Sequence, residues 1–205
     1  MGNTKKIKKF KINISVPTIE RKLASLGLSE DNPSFKKTVE TEIENVCGLF
    51  TPACVYETFN LEVVSSEFKP DELTQPFPKK GYPTGEFPTG EFGLNLPQEE
   101  YVAFSFYVVS LGEGSGLASI ARANQIAKVV IQEAEEQAVR FVYRLIREEA
   151  KKENCLLTPP SLLKKGEIVK KVWKILGAQR IGVTAQSMGI RTGVVGWLSG
   201  KKQKK

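Results

Sequence analysis

Among the side chains that carry acid–base, nucleophilic or metal chemistry, one kind is missing from the 205 residues: there is no His. That excludes a Ser-His-Asp triad, a Cys-His pair, a zinc site with a His ligand, and an imidazole on haem iron or cobalt. Acid–base work would fall to Asp, Glu, Lys, Tyr or Cys. Cys47, Cys54 and Cys155 are an odd set, and none of their spacings is that of a zinc or iron–sulfur motif. Free thiols in a reducing cytoplasm are expected. Cys47 falls on the apolar side of a predicted helix and reads as buried filler. Gly112-Glu113-Gly114-Ser115-Gly116 sits where a strand would turn into a helix, the usual place for a phosphate-binding turn. Its spacing is G-x-G-x-G rather than G-x-G-x-x-G, no Gly-Lys-Ser/Thr closes it, and Glu113 would repel a phosphate. It reads as a strand–helix turn.

The charge is uneven. The formal net charge is +7, yet residues 1–11 carry five Lys and no acid, and residues 201–205 carry four Lys, which leaves −2 for residues 12–200. A nucleic-acid groove needs cations across a folded face, so no specific nucleic acid is expected; Lys-rich ends are solvated or make weak polyanion contacts. No apolar run reaches the length of a membrane span. The length suits one domain.

These residues must be held by a framework, and its periodicities are readable. Residues 10–16 alternate apolar and polar, which predicts a strand that a Lys-rich tail, 1–11, leads into. Pro17 opens a short helix ended by Gly27, with Ile19, Leu23 and Leu26 on one face. Asn32-Pro33 starts a second helix, whose stripe is Phe35, Val39, Ile43, Val46 and Phe50. Residues 53–66 and 101–111 are rich in β-formers. Between them, residues 67–98 are Pro- and Gly-rich and hold a tandem copy, Pro83-Thr84-Gly85-Glu86-Phe87 then Pro88-Thr89-Gly90-Glu91-Phe92. They read as a loop excursion. A helix is predicted from about Leu117 to Lys152, a second amphipathic helix over 161–176, a short strand over 180–185 and a Gly-punctuated strand over 193–198. The mix, without strict βαβ alternation, predicts an α+β fold: a single domain over 12–200, with a largely antiparallel twisted sheet, a long central helix and flanking helices.

The order of elements and part of the wording resemble the activation domain of cobalamin-dependent methionine synthase, in its small stand-alone version. The likeness is carried by Ser25-Leu26-Gly27-Leu28, by Tyr107-Val108-Val109-Ser110-Leu111-Gly112, and by the long helix, acidic mid-length and basic toward its end. It continues in Lys174-Ile175-Leu176-Gly177-Ala178-Gln179-Arg180-Ile181-Gly182-Val183-Thr184-Ala185-Gln186-Ser187 and in the run to Gly196-Trp197. The resemblance implies a domain that holds S-adenosylmethionine over the corrinoid of a neighbouring module, so that a methyl group passes to Co(I). Protein groups position and desolvate there, and the cofactors carry the chemistry.

The resemblance also implies site residues. Glu136 in the long helix would take an amino group. Thr158, Pro159, Gln186, Ser187, Gly193 and Gly196 would face the corrinoid. Close backbone approach to a flat macrocycle would be allowed by Gly182, Gly189, Gly193 and Gly196. The family's R-x-x-x-G-Y string is replaced: Leu156 stands for the Arg, Pro160 for the Gly and Ser161 for the Tyr. Leu cannot grip a carboxylate, and Pro removes the N–H. The expectation is therefore a cytoplasmic, activation-domain-like accessory protein of corrinoid methyl transfer that contacts a corrinoid protein or methyltransferase module. The cobalamin would sit on that partner, and the chain would supply no catalytic residue or metal ligand. One alternative is a reactivation domain that binds S-adenosylmethionine and supports reductive methylation. Another is a polyanion-binding protein acting through its Lys ends.

Overall fold

The computed structural model describes residues 4–28, 32–60, 101–163, 166–184 and 187–199. The excursion at 67–98, most of the continuation of the first β-rich stretch, and the C-terminal lysines lie outside them.

The central element is an antiparallel sheet. Its order is β1 (Lys5–Lys8), β2 (Ala53–Asn60), β3 (Tyr101–Ser110), β8 (Arg191–Ser199) and β5 (Cys155–Leu157), with β6 (Ser161–Leu162) also paired to β8. A two-stranded ribbon joins β4 (Gly112–Glu113) to β7 (Ser187–Met188). Helices α1 (Val16–Ser25), α2 (Pro33–Cys47), α3 (Gly114–Ala123) and α4 (Gln125–Lys152) lie on one side; α5 (Glu167–Leu176) and a 3-10 turn at Ala178–Ile181 lie on the other. The α+β reading holds.

Alternation in the strands builds two cores from one sheet. Cys54, Tyr56, Ala103, Tyr107, Val109, Val195 and Trp197 face α4, where Ala127, Val130, Ala134, Ala138, Val142 and Ile146 meet them. Ala53, Val55, Phe104, Phe106, Val108 and Val194 face α5, where Ile168, Val172 and Leu176 cover them. Each fully buried large side chain contributes about 1.5–3 kcal/mol. Polar side chains are paired across the central strands: Trp197 Nε1 donates to Ser105 Oγ at 2.7 Å, and Ser105 and Thr58 hydroxyls are 2.7 Å apart.

Several boundaries differ from the sequence expectation. The first strand is Lys5–Lys8, not 10–16, so part of the Lys-rich stretch is an edge strand rather than a tail. Residues 10–15 form an extended link along α4 instead, tied to it by contacts of Phe10 and Asn13. Leu26 caps α1 and is exposed. The long helix is interrupted at Asn124, whose extended backbone and side chain, accepting from the N–H groups of Ile126 and Ala127, start a new helix. Residues 161–162 pair with β8, so α5 begins only at Glu167. Arg180 and Ile181 lie in the 3-10 turn rather than in a strand.

Candidate functional site

The link from β5 to β6 holds three of the residues expected at the site. Leu157 ends β5, and Thr158-Pro159-Pro160 follow before Ser161 returns to β8. Thr158 is buried. Its N–H donates to Gly196 O at 2.9 Å, and its hydroxyl accepts from Gly196 N at 2.8 Å. Thr158 and Gly196 are thus brought together, with Pro159 half-buried beside them. Leu156 pairs with Leu198, so it faces the α5 side of the sheet, but α5 does not reach it: Leu156 is 63% exposed. Tyr101, stacked on Phe104 at 5.2 Å, and half-buried Leu198 complete an apolar surface at this end.

Gly193 and Gly196 do not act as expected. Both are buried, on opposite faces of β8. A methyl group on Gly193 would lie 2.6 Å from Ser161 O and closer still to the Tyr107 ring and hydroxyl. One on Gly196 would collide with the Tyr101 ring and lie 3.3 Å from Thr158 Cγ2. The space that the missing Cβ atoms leave is filled by tyrosines of β3, so neither backbone is open to a macrocycle. Glu136 is an exposed helix residue, ion-paired with Lys22 at 2.8 Å. Ser187 accepts from Thr184 N and donates to Gly182 O, which closes a turn. Gln186 lies outside the described residues.

Ser187 lines a cleft of about 530 Å³ between α4, α5 and the start of β8. Leu163, Val169, Trp173 and Ile190 are its apolar walls. Trp173 Nε1 donates to Thr192 Oγ1 at 2.7 Å, which fixes the indole. Glu135 and Arg191 form an ion pair at its inner edge. Burial pushes the Glu135 carboxyl up, and Arg191 only partly offsets this. Lys170, the other cation of the lining, bonds Glu167 at 2.8 Å. Both cations already carry a carboxylate, and the link offers Leu156 instead of Arg. These residues do not fit the carboxylate of S-adenosylmethionine.

Sequence reasoning named Glu136 and missed Glu135. Consecutive helix residues point about 100° apart, and the stripe of Ile131, Ala134, Ala138 and Val142 turns Glu135 rather than Glu136 toward the sheet's edge. Arg191 and Trp173 were missed because only the fold brings them together.

Burial pushes the Cys54 thiol up to about 12, against a backbone hydrogen bond with Ile7, and also raises Cys47. Among the described residues no group of three His, Cys, Asp or Glu is placed to hold a metal ion, and no helix is long and apolar enough to cross a membrane. No protein-family model and no curated protein matches the chain.

Proposed function

We propose that the chain is an activation-domain-like accessory protein of corrinoid-dependent methyl transfer, and that it docks on a corrinoid-carrying protein. The observation that carries this reading is the apolar surface at the β5–β6 link. It joins exposed Leu156 to Leu198, Tyr101 and Pro159, where the resemblance puts the corrinoid-facing side. An apolar face beside a rigid Pro-Pro link suits a flat macrocycle edge on a partner, and removing it from water contributes about 25 cal/mol per Å². The chain's own part is to bind, orient and exclude water. The cobalamin arrives on the partner, because the chain has no His to ligate cobalt.

The test is an absorbance titration of corrinoid proteins from the same organism with the purified chain, and of free cobalamin as a second titrant. A saturable change in the cobalt bands is expected with a corrinoid protein, and Leu156→Asp should weaken it at least tenfold. No change with any corrinoid protein or with free cobalamin would reduce the likeness to one of fold. Calorimetry with S-adenosylmethionine should show no binding near micromolar, or about −8 kcal/mol. Leu156→Arg alone should not restore it, since Pro160 still lacks the N–H.

A further inference from the structure

Away from the link, a second opening of about 340 Å³ lies between residues 11–13 and α4, lined by Lys11, Asn13, Gln137, Arg140, Phe141 and Arg144. That size falls within the range of small-ligand sites. Its framework is fixed. Phe10 stacks on Phe141 with ring centroids 4.2 Å apart and planes 8° from parallel. Gln137 binds the backbone of Asn13 twice, accepting from its N–H at 3.1 Å and donating to its carbonyl at 2.8 Å. The Arg144 guanidinium lies 5.9 Å from the Phe141 ring centroid, which restricts where it points.

The charge of this opening is out of balance. Residues 12–200 carry a net −2, yet two of their cations, Arg140 and Arg144, line this opening together with Lys11 of the preceding Lys-rich stretch. The nearby carboxylates are already engaged: Glu133 takes Lys22 at 2.8 Å and Arg140 at 2.6 Å, and Glu136 takes Lys22 at 2.8 Å. Among the described residues no ion pair is recorded for Lys11 or Arg144. Arg140 is held by Glu133 and, at 3.8 Å, by Glu136, so the cations left for a ligand are the Lys11 ammonium on one wall and the Arg144 guanidinium on the other, with side-chain amide groups between. A planar guanidinium fork suits the oxygens of a phosphate, and an ammonium adds a point charge.

We infer that this opening binds a small ligand bearing a phosphate or diphosphate group, held between Lys11 and Arg144. The inference is independent of the corrinoid reading and uses none of its residues. The probe is inorganic pyrophosphate, titrated into the full chain by calorimetry at 0.15 M salt, with citrate as a carboxylate control. Saturable pyrophosphate binding is expected, weakened at least tenfold in Lys11→Gln/Arg144→Gln. Both residues are exposed, so the double variant should keep the wild-type melting temperature in phosphate-free buffer. Undiminished binding in that variant, equally tight citrate, or no saturable binding to the wild type would each overturn the inference. So would binding lost only when residues 201–205 are deleted, since that would assign the anion to the C-terminal lysines.

Discussion

At Gly193 one methyl group decides whether two layers fit. Gly193→Ala would push its Cβ against Tyr107 and the Ser161 carbonyl, and overpacking of this kind costs about 1–3 kcal/mol. A fall of several degrees in melting temperature is expected, and an unchanged value would show that the strands separate freely there. Tyr107 itself is fully buried, and its hydroxyl has no hydrogen-bond partner among the described residues. Burial raises its pKa, so the phenol stays neutral. Tyr107→Phe removes that unpartnered group and should leave stability equal or higher by about 1 kcal/mol, read from denaturant midpoints. Glu133 gives a pH-dependent test. Burial pushes its carboxyl up, but hydrogen bonds from Lys22 and Gln137 and the charges of Lys22 and Arg140 outweigh that and hold it below the usual value. A depressed carboxylate stabilises above the unfolded pKa of about 4.3, and that stabilisation is lost as pH falls through the lower folded value. Lys22→Met should therefore cost about 2 kcal/mol at pH 7, with the difference from wild type shrinking below about pH 4. A difference that stays constant down to pH 3 would rule this account out. Of the candidate site, the resemblance put Thr158 and Gly196 on one face, and the hydrogen bond that joins them lies there. The roles of the glycines were not legible, because a sequence shows an absent Cβ but not the tyrosine that occupies its place.

Among the elements, Asn124 shows how a helix stop hides inside a helical pattern. It occupies a position in the apolar spacing between Ile120 and Ala127, and no Pro or Gly marks the break. Only its side chain, short enough to cap two N–H groups, divides α3 from α4. Asn124→Ala should lose about 1 kcal/mol and Asn124→Asp should recover most of it, measured by urea unfolding. Equal stability of all three would mean that packing alone sets the break. Where punctuation is local, the sequence was readable: Asn32 accepts from Phe35 N ahead of Pro33, and α2 starts there. Where it is non-local, it was not. β1 is a Lys-rich edge with little apolar content, visible only through its register with β2, and β6 exists because β8 pairs with it.

For the whole molecule, the N-terminal lysines divide into structure and charge. Lys5–Lys8 closes one edge of the sheet, with Lys5 paired to Glu149 at 2.6 Å. Deleting residues 1–9 removes this strand and should cost about 1–3 kcal/mol, or several degrees at about 2–4 °C per kcal/mol. Lys6→Gln/Lys8→Gln keeps the strand and should melt within about a degree of wild type. Equal melting after the deletion would show the edge to be dispensable. The opposite flank of the sheet has a different dependence. β8 comes last of the described strands, yet it sits inside the sheet, bonded to β3 on one side and to β5 and β6 on the other. A ribosome making this protein would release β1 to β3, the described helices and β5 before the strand that joins them. Until residue 199 emerges, β3 has an open edge bearing Phe104, Phe106 and Tyr107. Closure of the sheet thus waits until residue 199 has left the ribosome, and a nascent chain stalled before Arg191 would be one for a chaperone to hold.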